Sequence, residues 1–80
     1  MRIDKFLKVS RIIKRRTVAN DACSGDRVTV NGKIVKPSYE VKEGDILEIR
    51  LGEKRIKAEI LSIKEHTLKN DAAELYRMIE

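Results

Sequence analysis

Apolar residues stand at Ile3, Phe6 and Leu7 and again at Ile12 and Ile13, with charged residues filling most of the gaps. That spacing predicts a first helix near residues 3 to 10, with a turn or a second short segment after Ser10. A second helix is expected from Thr17, which is placed to cap it, through about Ser24; its inward residues would be Val18, Ala19, Ala22 and Cys23, and Gly25 supplies its stop. The period then falls to two. Runs at 27–30 and 33–35 flank Asn31-Gly32, a pair suited to the type I′ turn of a hairpin because both central residues take positive φ. Pro37 and Ser38 break the second run. Gly44-Asp45 marks a turn into ILEIRL, and Gly52-Glu53 separates that from RIKAEILSI, where Ile56, Ala58 and Ile60 alternate with Lys57 and Glu59. From Asn70 or Asp71 a closing helix is predicted, with Ala72, Leu75, Tyr76 and Ile79 on one face.

The expected order is α-α-β-β-β-β-α, without repeat, low-complexity tract or linker. It describes one α+β domain over residues 1–80, with two N-terminal helices packed on a small, mostly antiparallel sheet and a short C-terminal helix. A chain of 80 residues buries only about 60% of its unfolded surface, so a deep enzyme pocket would compete with the core. With 41% hydrophobic and 39% charged residues it holds enough apolar material to fold under a highly charged surface.

Charge changes this picture most. Residues 1 to 16 carry seven bases (Arg2, Lys5, Lys8, Arg11, Lys14, Arg15 and Arg16) against one acid, Asp4, whereas the rest of the chain is nearly balanced. A solvated face ordinarily mixes signs, as residues 40 to 59 do, so a polyanionic partner is the economical explanation. Lys5, Lys8 and Arg11 recur at i, i+3 on the solvent side, with Asp4 one turn before Lys8 and placed to pair with it. The apolar stripe is needed inside, which leaves no face to insert into a membrane, and neither helix offers a set of base-reading Asn or Gln side chains for the DNA major groove. Phosphate contacts to a structured RNA fit better. Arg15 and Arg16, just before Thr17, gain from the free N–H groups at a helix start, and Lys33 at the hairpin tip is a further candidate contact.

Other chemistry is sparse. Three aromatic residues, Phe6, Tyr39 and Tyr76, do not make a broad stacking platform. Cys23 reads as a small core residue, His66 as a surface residue, and one of each cannot form a structural zinc site or a disulfide. Asp45, Glu48, Glu53 and Glu59 show no metal or acid/base spacing, so neither catalysis nor a cofactor is expected. No run reaches the length of a membrane helix, and the basic start is spaced to join a core rather than to serve as a targeting peptide, so the cytoplasm is the expected location.

The stretch from Arg2 to about residue 50 closely resembles the S-four-type RNA-binding domain, named after a small-subunit ribosomal protein. The shared features are RIDKFL at residues 2–7, Arg15-Arg16-Thr17, the hairpin from Gly25 to Gly32 with one extra residue after the glycine, and Val41 to Asp45. The whole is similar to the small free-standing relatives of the bacterial fifteen-kilodalton heat-shock protein. That resemblance implies an αL-type RNA-binding motif without enzymatic activity. It also implies binding to a stalled large ribosomal subunit that still carries peptidyl-tRNA, with contacts to rRNA and tRNA. Such a factor would support alanine tailing of the nascent chain beside a partner that delivers alanyl-tRNA, and would be a monomer off the ribosome. By position, Arg2 and Arg16 match the family's RNA-contacting arginines and Asp4 its acidic position, braced against one of those arginines or Lys8; Lys5, Lys8, Arg11 and Arg15 would widen the contact. The longer heat-shock relatives carry a C-terminal extension, and functions that depend on it do not transfer. A general rRNA chaperone or assembly factor, a detached module of an RNA-modifying enzyme, and a basic surface docking an acidic protein stay open as alternatives.

Overall fold

Ile3, Phe6 and Leu7 are completely buried, and their burial holds a helix of only seven residues, α1 (Ile3–Val9), that would be unstable alone. The computed structural model describes residues 1–65 and 67–79, so His66 lies outside the described residues. The first N–H groups of α1 are satisfied from a distant loop: Ile3 donates to the carbonyl of Tyr39 at 2.8 Å and Asp4 to that of Pro37 at 3.4 Å. Arg2, just ahead, forms an isolated antiparallel bridge with Glu40. At the other end Ser10 donates its hydroxyl to the carbonyl of Leu7, and Arg11 takes φ +63°, the left-handed conformation that ends helices and that glycine usually fills.

Helix α2 (Arg16–Ser24) packs its small residues Ala19, Ala22 and Cys23 into the core beside α1. Two expectations are corrected here. Thr17 is not the cap: Arg15 is the extended residue before the helix, Arg16 already has helical geometry, and no side chain caps the first turn. Val18 faces outward and is 44% exposed, because the buried stripe is narrow and runs through Ala19, Ala22 and Cys23. Gly25 does stop the helix, yet without positive φ. Asp26 adopts that conformation at +60°, while a Cβ on Gly25 would lie 3.1 Å from the Asp21 carbonyl oxygen.

Strands β1 (Val28–Val30) and β2 (Lys33–Ile34) form the expected hairpin, with φ +52° at Asn31 and +85° at Gly32 as a type I′ turn demands. Strands β3 (Ile46–Leu51) and β4 (Lys54–Ile60) pair over six residues, and the sheet is antiparallel throughout in the order β2-β1-β3-β4-β5. Val28, Val30, Leu47, Ile49, Ala58 and Ile60 point into the core with α1 and α2, while Thr29, Glu48 and Lys57 form a polar row across the other face.

The closing segment differs from the amphipathic helix expected from Asn70 or Asp71. Lys69–Leu75 is a 3-10 helix that buries Ala72 and Leu75, three residues apart on its tighter spiral, and Tyr76–Met78 then extends as a fifth strand, β5, beside β4. Pairing satisfies the open edge of β4, and Arg77 lies opposite Glu59 and ion-pairs with it. Among the described residues no helix is long and apolar enough to cross a membrane.

Candidate nucleic-acid interface

Asp4, an acid on a helix of basic residues, is almost fully buried. Its Oδ1 accepts from the backbone N–H of Lys5 at 2.8 Å and from Nη2 of Arg16 at 3.4 Å; its Oδ2 accepts from Nη2 of Arg2 at 3.2 Å and from the Asn20 amide at 3.3 Å. The expected partner Lys8 is not among them. Asp4 turns inward between the helices, while Lys8 stays exposed one turn away. Burial by itself would raise the Asp4 carboxyl; the Asn20 amide, then the Arg16 and Arg2 guanidinium charges and the Lys5 N–H, outweigh it and hold the group below its ordinary range. Asp4 is therefore ionised at neutral pH.

The two arginines are half-exposed, 47% for Arg2 and 48% for Arg16. Each guanidinium has five donors, so one used on Asp4 leaves others directed to solvent in a fixed orientation. The outward surface is a shallow hollow of about 280 Å³ lined by Asp4, Arg16, Thr17, Asn20 and Asp21. This geometry presents two guanidinium forks to an oxyanion such as phosphate, with the neutralising carboxylate held behind them.

The other basic candidates fall into separate places. Lys5 is half-buried and paired with Glu65 across the fold. Lys8 and Arg11 border a narrow cleft of about 90 Å³ with Val9, Glu65 and Thr67. Arg15 is exposed in the extended turn before α2, and Lys33 lies on β2, at the edge of the sheet. The structure thus brings Arg2, Asp4, Arg16 and Thr17 together and leaves Lys5, Lys8, Arg11, Arg15 and Lys33 around them. Asn20 is an addition. It lies one helical turn after Arg16, an i, i+4 spacing legible in the sequence once Arg16 is singled out. Glu65 has no such signal, because its contact with Lys5 spans sixty positions.

Residues 1–47 match the S4 domain family. The chain belongs to that family. It is 53% identical over 78 residues to the RQC P-site tRNA stabilizing factor of Halalkalibacterium halodurans, covering 98% of this chain and 89% of the relative. It is 49% identical over 79 residues to the protein of the same name in Streptococcus pneumoniae, covering 99% and 90%. In structure it resembles Heat Shock Protein 15 of Vibrio cholerae, solved as a trimer, with a TM-score of 0.90 at 31% identity over 99% of this chain and 81% of that one. Both resemblances read from the sequence, to the S-four type of domain and to the heat-shock relatives, are met. The S4 match ends inside β3, so the fold extends beyond the family signature.

Proposed function

We propose that this chain is a non-enzymatic RNA-binding factor that engages a stalled large ribosomal subunit still carrying peptidyl-tRNA. It contacts rRNA and the tRNA in the P site, and it supports alanine tailing of the nascent chain while a partner factor delivers alanyl-tRNA. The observation that carries the reading is the buried Asp4 carboxylate bracketing Arg2 and Arg16, which holds two forks outward at the centre of the most basic part of the chain. Relatives that share about half of its residues are named for stabilizing P-site tRNA, which supports the same role here. Arg2 and Arg16 are the principal contacts and Asp4 positions them. Thr17, Lys5, Lys8, Arg11, Arg15 and Lys33 extend the footprint over phosphates, with residues 1–80 acting as one cytoplasmic unit that is monomeric off the ribosome.

Co-sedimentation tests the proposal, with wild type and Arg16→Ala each mixed with empty large subunits and with subunits loaded with peptidyl-tRNA. Preference for the loaded particle, lost in the variant and weakened by added salt, is the expected result. Equal binding to both particles would replace it with a general rRNA-binding role, and binding that survives in Arg16→Ala at raised salt would refute the assigned interface.

A further inference from the structure

A second concave surface lies beside the hairpin. The loop that satisfies the start of α1 through the Pro37 and Tyr39 carbonyls runs back to β2, and between loop and strand is a groove of about 560 Å³. Its walls are Ile34, Val35 and Tyr39, and Lys33, Lys36 and Ser38 stand around it. Ile34 is 58% exposed, and the Tyr39 ring is half-buried, packed on the core along one side. Lys36 reaches Asp26 at 3.4 Å in an exposed pair that exchanges readily for another anion.

We infer that this groove receives one unpaired nucleotide of the bound RNA, with the base against Ile34 and Tyr39 and its flanking phosphates against Lys33 and Lys36. This rests on the RNA-binding reading and adds to it a contact that responds to RNA structure rather than to charge alone. Three observations favour this occupant. The groove volume lies within the roughly 300–1,000 Å³ of small-molecule clefts, ample for a nucleotide base. Its apolar walls and basic rim match an unstacked base and its backbone, which RNA-binding proteins take up on aromatic and aliphatic side chains. The backbone bonds from Ile3 and Asp4 also tie the loop that lines the groove to the start of α1, the helix that carries Asp4 and directly follows Arg2. A peptide adding to the sheet edge fits less well, because β2 is only two residues long and offers too short a template.

The test compares two RNA probes, a short fully paired duplex and the same duplex with one unpaired nucleotide, each of the four bases in turn. Wild type is expected to bind a bulged probe about tenfold more tightly, the worth of one stacked base. Ile34→Ser, at an exposed position, and Tyr39→Leu, which keeps apolar packing but removes the ring, are expected to erase that preference while leaving duplex affinity unchanged. Arg16→Ala lowers affinity for both probes. Equal binding of all probes by wild type, or a preference that survives in both groove variants, overturns the inference while the Arg16 dependence preserves the phosphate reading. Failure of wild type to bind any of these RNAs overturns the inference, whereas the RNA-binding reading itself falls only if wild type also fails to co-sediment with large subunits. Ribosome binding that weakens in Ile34→Ser with unchanged RNA binding assigns the groove to a protein partner and equally overturns the inference.

Discussion

The carboxylate of Asp4 on α1 accepts from the guanidinium of Arg16 on α2, Nη2 to Oδ1 at 3.4 Å, so that one buried acid fixes an arginine across the helix pair. A face meant only to accumulate positive charge would be better without that acid. Asp4→Asn raises the net charge by one, yet it is expected to weaken RNA binding about fivefold to tenfold, because the forks lose their orientation. It should also lower stability by about 1–3 kcal/mol. Titration of the variant against the wild type checks this, and a gain in affinity would show that orientation contributes nothing.

Acid and base should act through different groups. Since the Asp4 carboxyl is held low in the fold, its stabilisation is complete at neutral pH and is lost as the pH falls below about 4 toward its folded value. Burial, reinforced by the nearby Asp4 charge, pushes the Cys23 thiol up to about 11. The unfolded chain releases that proton near the ordinary value of 9.0, so stability declines as the pH rises from there toward about 11. Denaturant melts across pH should therefore flatten at the acid end in Asp4→Asn and at the alkaline end in Cys23→Ala.

The same buried thiol should be inert. At pH 8 an alkylating reagent is expected to label native Cys23 far more slowly than the unfolded chain, with a rate that follows unfolding. Fast native labelling would contradict its place in the core.

Arg11 occupies a conformation that costs a residue with a Cβ about 1 kcal/mol or more. Arg11→Gly is expected to stabilise the domain by about 0.5–1 kcal/mol despite the greater freedom of the unfolded chain. If Arg11 belongs to the RNA footprint, the more stable protein binds RNA less tightly. Thermal melts and salt-dependent binding read the two effects separately.

Asn31 does more than turn the hairpin. Its side-chain oxygen accepts from the Ile46 N–H at 3.0 Å and its amide donates to the buried Asp45 at 3.2 Å, tying the turn to the start of β3. Asn31→Ala is expected to cost about 1–3 kcal/mol, whereas Asn31→Gly recovers the backbone part but not these bonds. Denaturation midpoints of the two variants distinguish the contributions.

Elements governed by neighbours in sequence were legible. The period of Ile3, Phe6 and Leu7, the Asn31-Gly32 turn and the alternation of Ile56, Ala58 and Ile60 each carry their own signal, and each element stands where the pattern places it. Features decided by distant residues were hidden. Spacing alone pairs Asp4 with Lys8, while the resemblance also offered Arg2 or Arg16; the fold takes both arginines and adds Asn20. Tyr76 lies at helical spacing from Ala72, but the unpaired edge of β4 draws it into a strand. The cap of α2 falls at Arg15, two residues before the Thr17 that the sequence offered. The arginines of the candidate site were visible as charge; which basic side chains the acid holds was decided only by the fold.

The S4 signature stops at residue 47, within β3, and the strand that covers the far edge of β3 comes seven residues later as β4. A fragment ended there would keep the pairing of Leu47 with Val30 but open its β4-facing edge to water, and the sheet side of the core would lack Ala58 and Ile60. The stretch in which the family is written is thus shorter than the piece that must travel for the helices to keep their shape. Grafting this module onto another protein requires carrying the second half along as its floor.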